Sequence, residues 1–185
     1  MSKMYFIAIV APEEVNATVL KWKQLMKERF DCAVALRSPA HITLIPPFWL
    51  DENEQHELKN AIGNFSQSCA GFEVSLKNFA AFQPRVIYVD VLPNQQLQSI
   101  HARLEEFLAA KRQFPISKGE RPLHPHVTIA TRDLHKKAFQ EAWEIFREKM
   151  YETSWIASGI SILKHDQKKW EVIFTSHFAN NFVPS

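Results

Sequence analysis

His41-Ile42-Thr43-Leu44-Ile45-Pro46-Pro47-Phe48 decides how this chain reads, because its opening returns 85 residues later in His124-Pro125-His126-Val127-Thr128-Ile129-Ala130-Thr131. Each copy is His-x-Thr followed by an apolar residue, set in a short apolar run. Residues two apart in a strand project to the same face. His41 and Thr43 therefore point one way and Ile42 and Leu44 the other, while His126 and Thr128 oppose Val127 and Ile129. Two imidazoles and two hydroxyls on strand faces can build one symmetric polar site.

Working outward, Tyr5–Val10 reads as a buried strand. A helix follows it on Val15, Val19, Trp22, Met26 and Phe30. Cys32–Leu36 reads as a short strand. His41–Pro46 is the first motif strand, broken by Pro46-Pro47. Asp51 with Glu54 resembles a capping box before a helix carrying Leu58, Ile62 and Phe65. Phe72, Val74 and Leu76 alternate as a strand, and Arg85–Val91 is its hairpin partner with Gln83-Pro84 near the turn. Pro93-Asn94 opens a helix with Leu97, Ile100, Leu104, Phe107 and Phe114. Pro125–Ala130 is the second motif strand. Phe139, Ala142, Trp143, Phe146 and Met150 mark another helix, and Trp155–Leu163 with Trp170–Phe178 forms a terminal hairpin. Interleaved helices and hairpins predict an α+β fold with largely antiparallel sheets. Each motif strand follows a loop and precedes a helix, a faint internal repeat that suggests two similar lobes. No linker divides residues 1–185, so one domain is expected.

The totals narrow the function. The chain has 185 residues, 46% of them hydrophobic, and a net charge of only +2, which argues against a broad duplex-binding surface. With 4 glycines there is no glycine-rich phosphate loop, so phosphate chemistry would fall to side chains and strand or loop amides. Cys32 and Cys69 lack metal or redox spacing and read as buried thiols of a reducing compartment. The opening apolar run is too short for a signal peptide and no stretch spans a bilayer. A cytoplasmic protein without membrane contact, and a monomer, is expected.

A pair of opposed imidazoles suits in-line phosphoryl chemistry. A neutral ring takes a proton from the nucleophile, and a protonated ring gives one to the departing oxygen. The threonine hydroxyls can donate to phosphoryl oxygens as charge develops. Protonating the leaving alkoxide removes the need for a metal.

The paired motifs, with MYFIAIVAPEEV before them and PRVIYVDV between them, resemble the two-histidine (2H) phosphoesterase superfamily, within it the 2′-5′ RNA ligase and cyclic phosphodiesterase group. The resemblance runs over nearly the whole chain. It implies a bilobal, pseudo-symmetric fold around a central cleft that needs no metal and no cofactor. It implies action on a 2′,3′-cyclic phosphate or a 2′-5′ phosphodiester of RNA or nucleotides, with His41 and His126 catalytic and Thr43 and Thr128 binding substrate. The chain departs from many RNA ligase members in the Ile45-Pro46-Pro47-Phe48 that follows the first motif. The exchange of acid and base between His41 and His126 is open at this level.

Around the motifs, Arg132 is a candidate phosphate contact, with Lys118 and Arg121 beside it, and Phe48 a candidate base-stacking surface, against which core or lobe-interface packing is the favoured reading. His124 with His126 has metal-site spacing but no neighbouring Cys, Asp or Glu to complete a set, so a structural role is expected. His56, His101, His135, His165 and His177 read as surface or helix-face residues, and Trp22, Trp143, Trp155 and Trp170 as core. Three alternatives stand beside hydrolysis: an RNA-binding module with little turnover, a reversible 2′-5′ RNA ligase, and a metal hydrolase using His124 and His126.

Overall fold

The computed structural model describes residues 1–117, 119 and 122–179. Its strands are β1 (Ser2–Val10), β2 (His41–Asp51), β3 (Phe72–Phe82), β4 (Val86–Val91), β5 (His126–Ala130), β6 (Glu152–Ala157), β7 (Gly159–Asp166) and β8 (Lys169–His177). The helices are α1 (Glu13–Phe30), α2 (Gln55–Ser66), α3 (Gln95–Ala109) and α4 (Lys136–Phe146). Two four-stranded sheets form, in the orders β2-β1-β7-β8 and β5-β4-β3-β6, and every pairing is antiparallel. The α+β, two-lobed architecture expected from the sequence is the one observed.

Read from the edge, the two sheets match position for position. Val10 pairs with His41 and Ala8 with Thr43; Asp90 pairs with His126 and Tyr88 with Thr128. Strands β2 and β5 are outer strands and lie against one another. Helix α1, which leaves the first sheet, packs on β5, and α3, which leaves the second, packs on β2. The pseudo-twofold relation thus brings the two motif strands side by side at the seam. Their apolar alternates, Ile42 and Leu44 with Val127 and Ile129, enter one continuous core.

Four local readings need correction. Strand β2 runs through Pro46-Pro47 to Asp51. It is an outer strand, and the pairing slips between Tyr5–Phe48 and Ile7–Ile45, so two prolines sit at a bulge where no ladder donor is demanded. Cys32–Leu36 holds a 3₁₀ turn over Val34–Arg37. Asp31 takes a left-handed conformation (φ 51°) after α1, and only Cys32 and Ala35 of that run are buried, a spacing of three. Trp155–Leu163 is two strands. The chain changes sheets at Ser158, with β6 pairing to β3 and β7 to β1. Asp51 caps a 3₁₀ turn through Asn53 N–H at 3.0 Å, so the capping box with Glu54 does not form and α2 begins at Gln55.

A bulge in β3 matters for the site. Asn78 sits at φ 57°, and the register slips between Leu76 and Phe79. Core positions change from even (Phe72, Val74, Leu76) to odd (Phe79), which leaves Phe82 on the face of the second motif. Two residues assigned to helix stripes lie past their helix ends: Phe114 follows α3 and is buried, and Met150 follows α4 and is exposed.

A Cβ built on Gly159 would come within 2.6 Å of Ser176 O in β8. Gly159→Ala must push the terminal hairpin apart, and urea unfolding should show a loss of about 1–3 kcal/mol.

Candidate functional site

Both motif histidines are held the same way. His41 Nδ1 lies 2.7 Å from Pro39 O, and His126 Nδ1 lies 2.7 Å from His124 O. A carbonyl oxygen only accepts, so each Nδ1 carries the hydrogen and each Nε2 is left with its lone pair. Two residues upstream is the reach of an imidazole folded back onto the segment that enters its strand, so each motif orients its own ring.

The rings differ in surroundings. Phe6 covers His41 at 4.8 Å between centroids. Burial pushes the His41 imidazole down to about 4; the Pro39 bond opposes this, while the charges of Lys23 and His126 add to it. His126 is also lowered, by burial first and by His124, but its Pro39-like bond to His124 O and the Asp90 carboxylate pull it back. Phe82 stands edge-on to His126 at 5.1 Å and Tyr88 lies at 5.1 Å. Tyr88 Oη meets His124 Nε2 at 3.1 Å, so His124 braces this wall.

A cavity of about 490 Å³ opens along the seam. Its lining includes His41, Thr43, Thr128 and Arg132, which joins most of the sequence candidates in one place. His126 is two residues before Thr128 on the same strand face, against Phe82 and Tyr88, outside the cavity wall itself. Lys118 and Arg121 lie outside the described residues. Phe48 needs correction: it is 7% exposed and belongs to the core beside Tyr5, because it falls on the inward face of β2 beyond the bulge. The aromatic rings facing the cavity are Phe6 and Trp170, 4.6 Å apart and edge-to-face. Trp170 was expected in the core and His165 on the surface. The two pair across the β7–β8 hairpin and both line the cavity, with ring centroids 4.9 Å apart. His101, expected on a helix face, holds α3 to β2 through Nδ1 and Leu44 O at 2.9 Å.

Asp133 ties the two lobes beside the cavity. Its Oδ2 accepts from Ala33 N–H at 2.7 Å and Val34 N–H at 2.9 Å, and its Oδ1 from Cys32 Sγ at 3.1 Å. Burial alone would raise this carboxyl, but the hydrogen bonds outweigh it and the group is lowered. Burial pushes the Cys32 thiol up to about 12, so it stays a donor. One wall (Val34, Arg37, Ser38) and the other (Thr131, Arg132) are thereby fixed to each other. Sequence reasoning missed Asp133 because its partners lie about a hundred residues away, and Arg37 because only the fold brings it to the same cavity as the motif residues. Among the described residues no three His, Cys, Asp or Glu side chains converge as a metal set, and no helix is long and apolar enough to cross a membrane.

This two-sheet architecture with paired motif strands is that of the two-histidine phosphoesterases. The chain belongs to the 2′-5′ RNA ligase superfamily, whose family model matches residues 11–169. It is 30% identical over 132 residues to a "Putative phosphoesterase" of Geobacillus kaustophilus, covering 70% of this chain and 69% of that protein. A Staphylococcus epidermidis protein of the same name is 27% identical over 169 residues, covering 88% of this chain and 89% of the relative. A match to a Geobacillus sp. relative spans 64% of that protein. Escherichia coli LigT, solved in complex with 3′-AMP, shares the fold at TM-score 0.69 with 17% identity, over 97% of this chain and 100% of LigT. TT0787 of Thermus thermophilus does so at 0.67 with 16% identity, over 96% and 98%.

Titrating the imidazole resonances by NMR should show His126 taking its proton at a higher pH than His41, which stays neutral to about 4. Both folded values are depressed, so the unfolded chain binds more protons as acid is added. Stability should fall as pH drops from the ordinary histidine range of about 6.5 toward 4, and His41→Gln should flatten that slope in urea melts.

Proposed function

We propose that residues 1–185 act as one unit in which each lobe supplies a half-site, and that the unit is a phosphoesterase opening a 2′,3′-cyclic phosphate or cleaving a 2′-5′ phosphodiester of RNA or a nucleotide. The observation that carries this reading is the matched pair of Nδ1–H···O=C bonds at 2.7 Å, which leave two Nε2 atoms for proton transfer at one seam. The phosphate would sit over that seam, where the Thr43 and Thr128 hydroxyls can donate to its oxygens and Arg132 can neutralise its charge. The cavity beside it, walled by Phe6 and Trp170, has the size of a nucleotide site. LigT has been crystallised with 3′-AMP, ATP and NADP⁺, and the likeness favours a nucleotide ligand here.

The neighbouring groups favour one division of roles. His41 faces apolar Val10 across the ladder and feels the positive Lys23, whereas His126 faces Asp90. His41 is thus the proton acceptor for water or a ribose hydroxyl, and His126 the donor to the leaving oxygen. For the acceptor, protonation below about 4 removes the base. For the donor, deprotonation as pH rises past the His126 value removes the acid. The profile of kcat/KM should be bell-shaped with its optimum on the acid side of neutral.

A panel of 2′,3′-cyclic nucleotides and 2′-5′ dinucleotides, assayed with EDTA present, tests the proposal. His41→Ala and His126→Ala should each lose roughly 10²–10⁴-fold in kcat with unchanged circular dichroism. Wild-type-like turnover in either variant, or full loss of activity on chelation, would overturn it.

A further inference from the structure

Helix α1 buries a stripe of Val15, Val19 and Met26, and Lys23 lies within that stripe at 3% exposure. Its Nζ donates to Ser38 O at 2.9 Å. Among the described residues no carboxylate forms an ion pair with it. An ammonium buried without a counter-charge destabilises a fold, so its place in an apolar stripe asks for a use. The next carbonyl along the chain is Pro39 O, the acceptor of His41 Nδ1–H. Lys23 and His41 therefore grip adjacent carbonyls of one turn, and Ser38 and His41 both line the cavity.

We propose that Lys23 is a positioning residue of the first half-site: it pins the Ser38–Pro39 carbonyls that orient His41, and its buried positive charge opposes a second charge on that ring while drawing a phosphoryl anion to the cavity. This rests on the reading of His41 as proton acceptor. The groups that act electrostatically on His41 are Lys23 from α1 and His126 from β5; Phe6 from β1, which covers the ring, is neutral, and Arg37 and Arg132 border the same cavity. Burial holds Lys23 itself down to about 8, so it is still mostly charged at neutral pH, and in a desolvated setting its field is weakly screened. The second half-site has the opposite arrangement, with Asp90 paired to His126 across the ladder. Two like motifs are thus backed by unlike charges, which suits one ring to accepting a proton and the other to giving one.

The test compares wild type, Lys23→Met and Lys23→Arg, with His41→Ala to assign the imidazole resonance. In Lys23→Met the His41 titration should move up by about half a pH unit or more, since a like charge has been removed, while Lys23→Arg stays near wild type. The acid limb of kcat/KM should move up with it, and KM for the anionic substrate should rise several-fold. Melting temperature at pH 7 should not fall in Lys23→Met, because the burial cost of the ammonium is gone. An unchanged His41 titration in folded Lys23→Met, or the same shift in Lys23→Arg, overturns the proposal. Should Lys23→Met fail to fold, Lys23→Gln, which keeps a donor without the charge, is held to the same criterion. If wild type turns over none of the substrates, the phosphoesterase reading fails, and the imidazole titration still decides the role of Lys23.

Discussion

Each motif histidine spends its Nδ1 on the backbone carbonyl two residues upstream, just before its own strand begins, and the rest of the site follows from that bond. It fixes the tautomer without any carboxylate, so no third residue has to be imported to orient either ring. It also ties ring direction to strand direction. Two strands laid side by side by a pseudo-twofold then present two Nε2 atoms in related poses. The outer-strand positions of β2 and β5 make this possible, since each has one side free of its own sheet to meet the other. The core supplies the pressure that keeps them there, through Ile42, Leu44, Val127 and Ile129 on the opposite faces.

Symmetry of backbone does not mean symmetry of chemistry. Equivalent ladder positions carry Val10 beside His41 and Asp90 beside His126. The first lobe covers its ring with Phe6 and places Lys23 behind it, and the second rests its ring against the contacting pair Phe82 and Tyr88. Asp133 then locks the loops of the two lobes into one wall, so the difference between half-sites is held in fixed register.

The repeated His-x-Thr made the half-sites legible, because strand alternation is local and the motif is short. Apolar spacing likewise located Val15, Val19 and Met26 in α1, Leu58, Ile62 and Phe65 in α2, and the hairpin of β3 with β4. What escaped was set by tertiary context. The bulge at Asn78 reverses which side chains of β3 face inward, and alternation alone carries no mark of it. Phe48 looked available for stacking because its position beyond a proline pair hides the bulge that returns it to the core. Lys23 was invisible as a buried residue, since a lysine on a helix ordinarily ends in water. The Val10–Asp90 difference could have been found by superposing Phe6–Val10 on Val86–Asp90, the two strands that flank the motifs.

The change of sheet at Ser158 has a temporal consequence. The second sheet is contiguous in the chain, from β3 to β6, whereas the first draws β1 and β2 from one end of the described chain and β7 and β8 from the other. Tyr5 must find Lys164 before the first sheet is whole. Pairings so distant in sequence close slowly, because the intervening loop must be organised first. During synthesis the half-site of His126 can therefore assemble while that of His41 still lacks the hairpin bearing His165 and Trp170, so Phe6 waits for the ring that completes the cavity's aromatic wall.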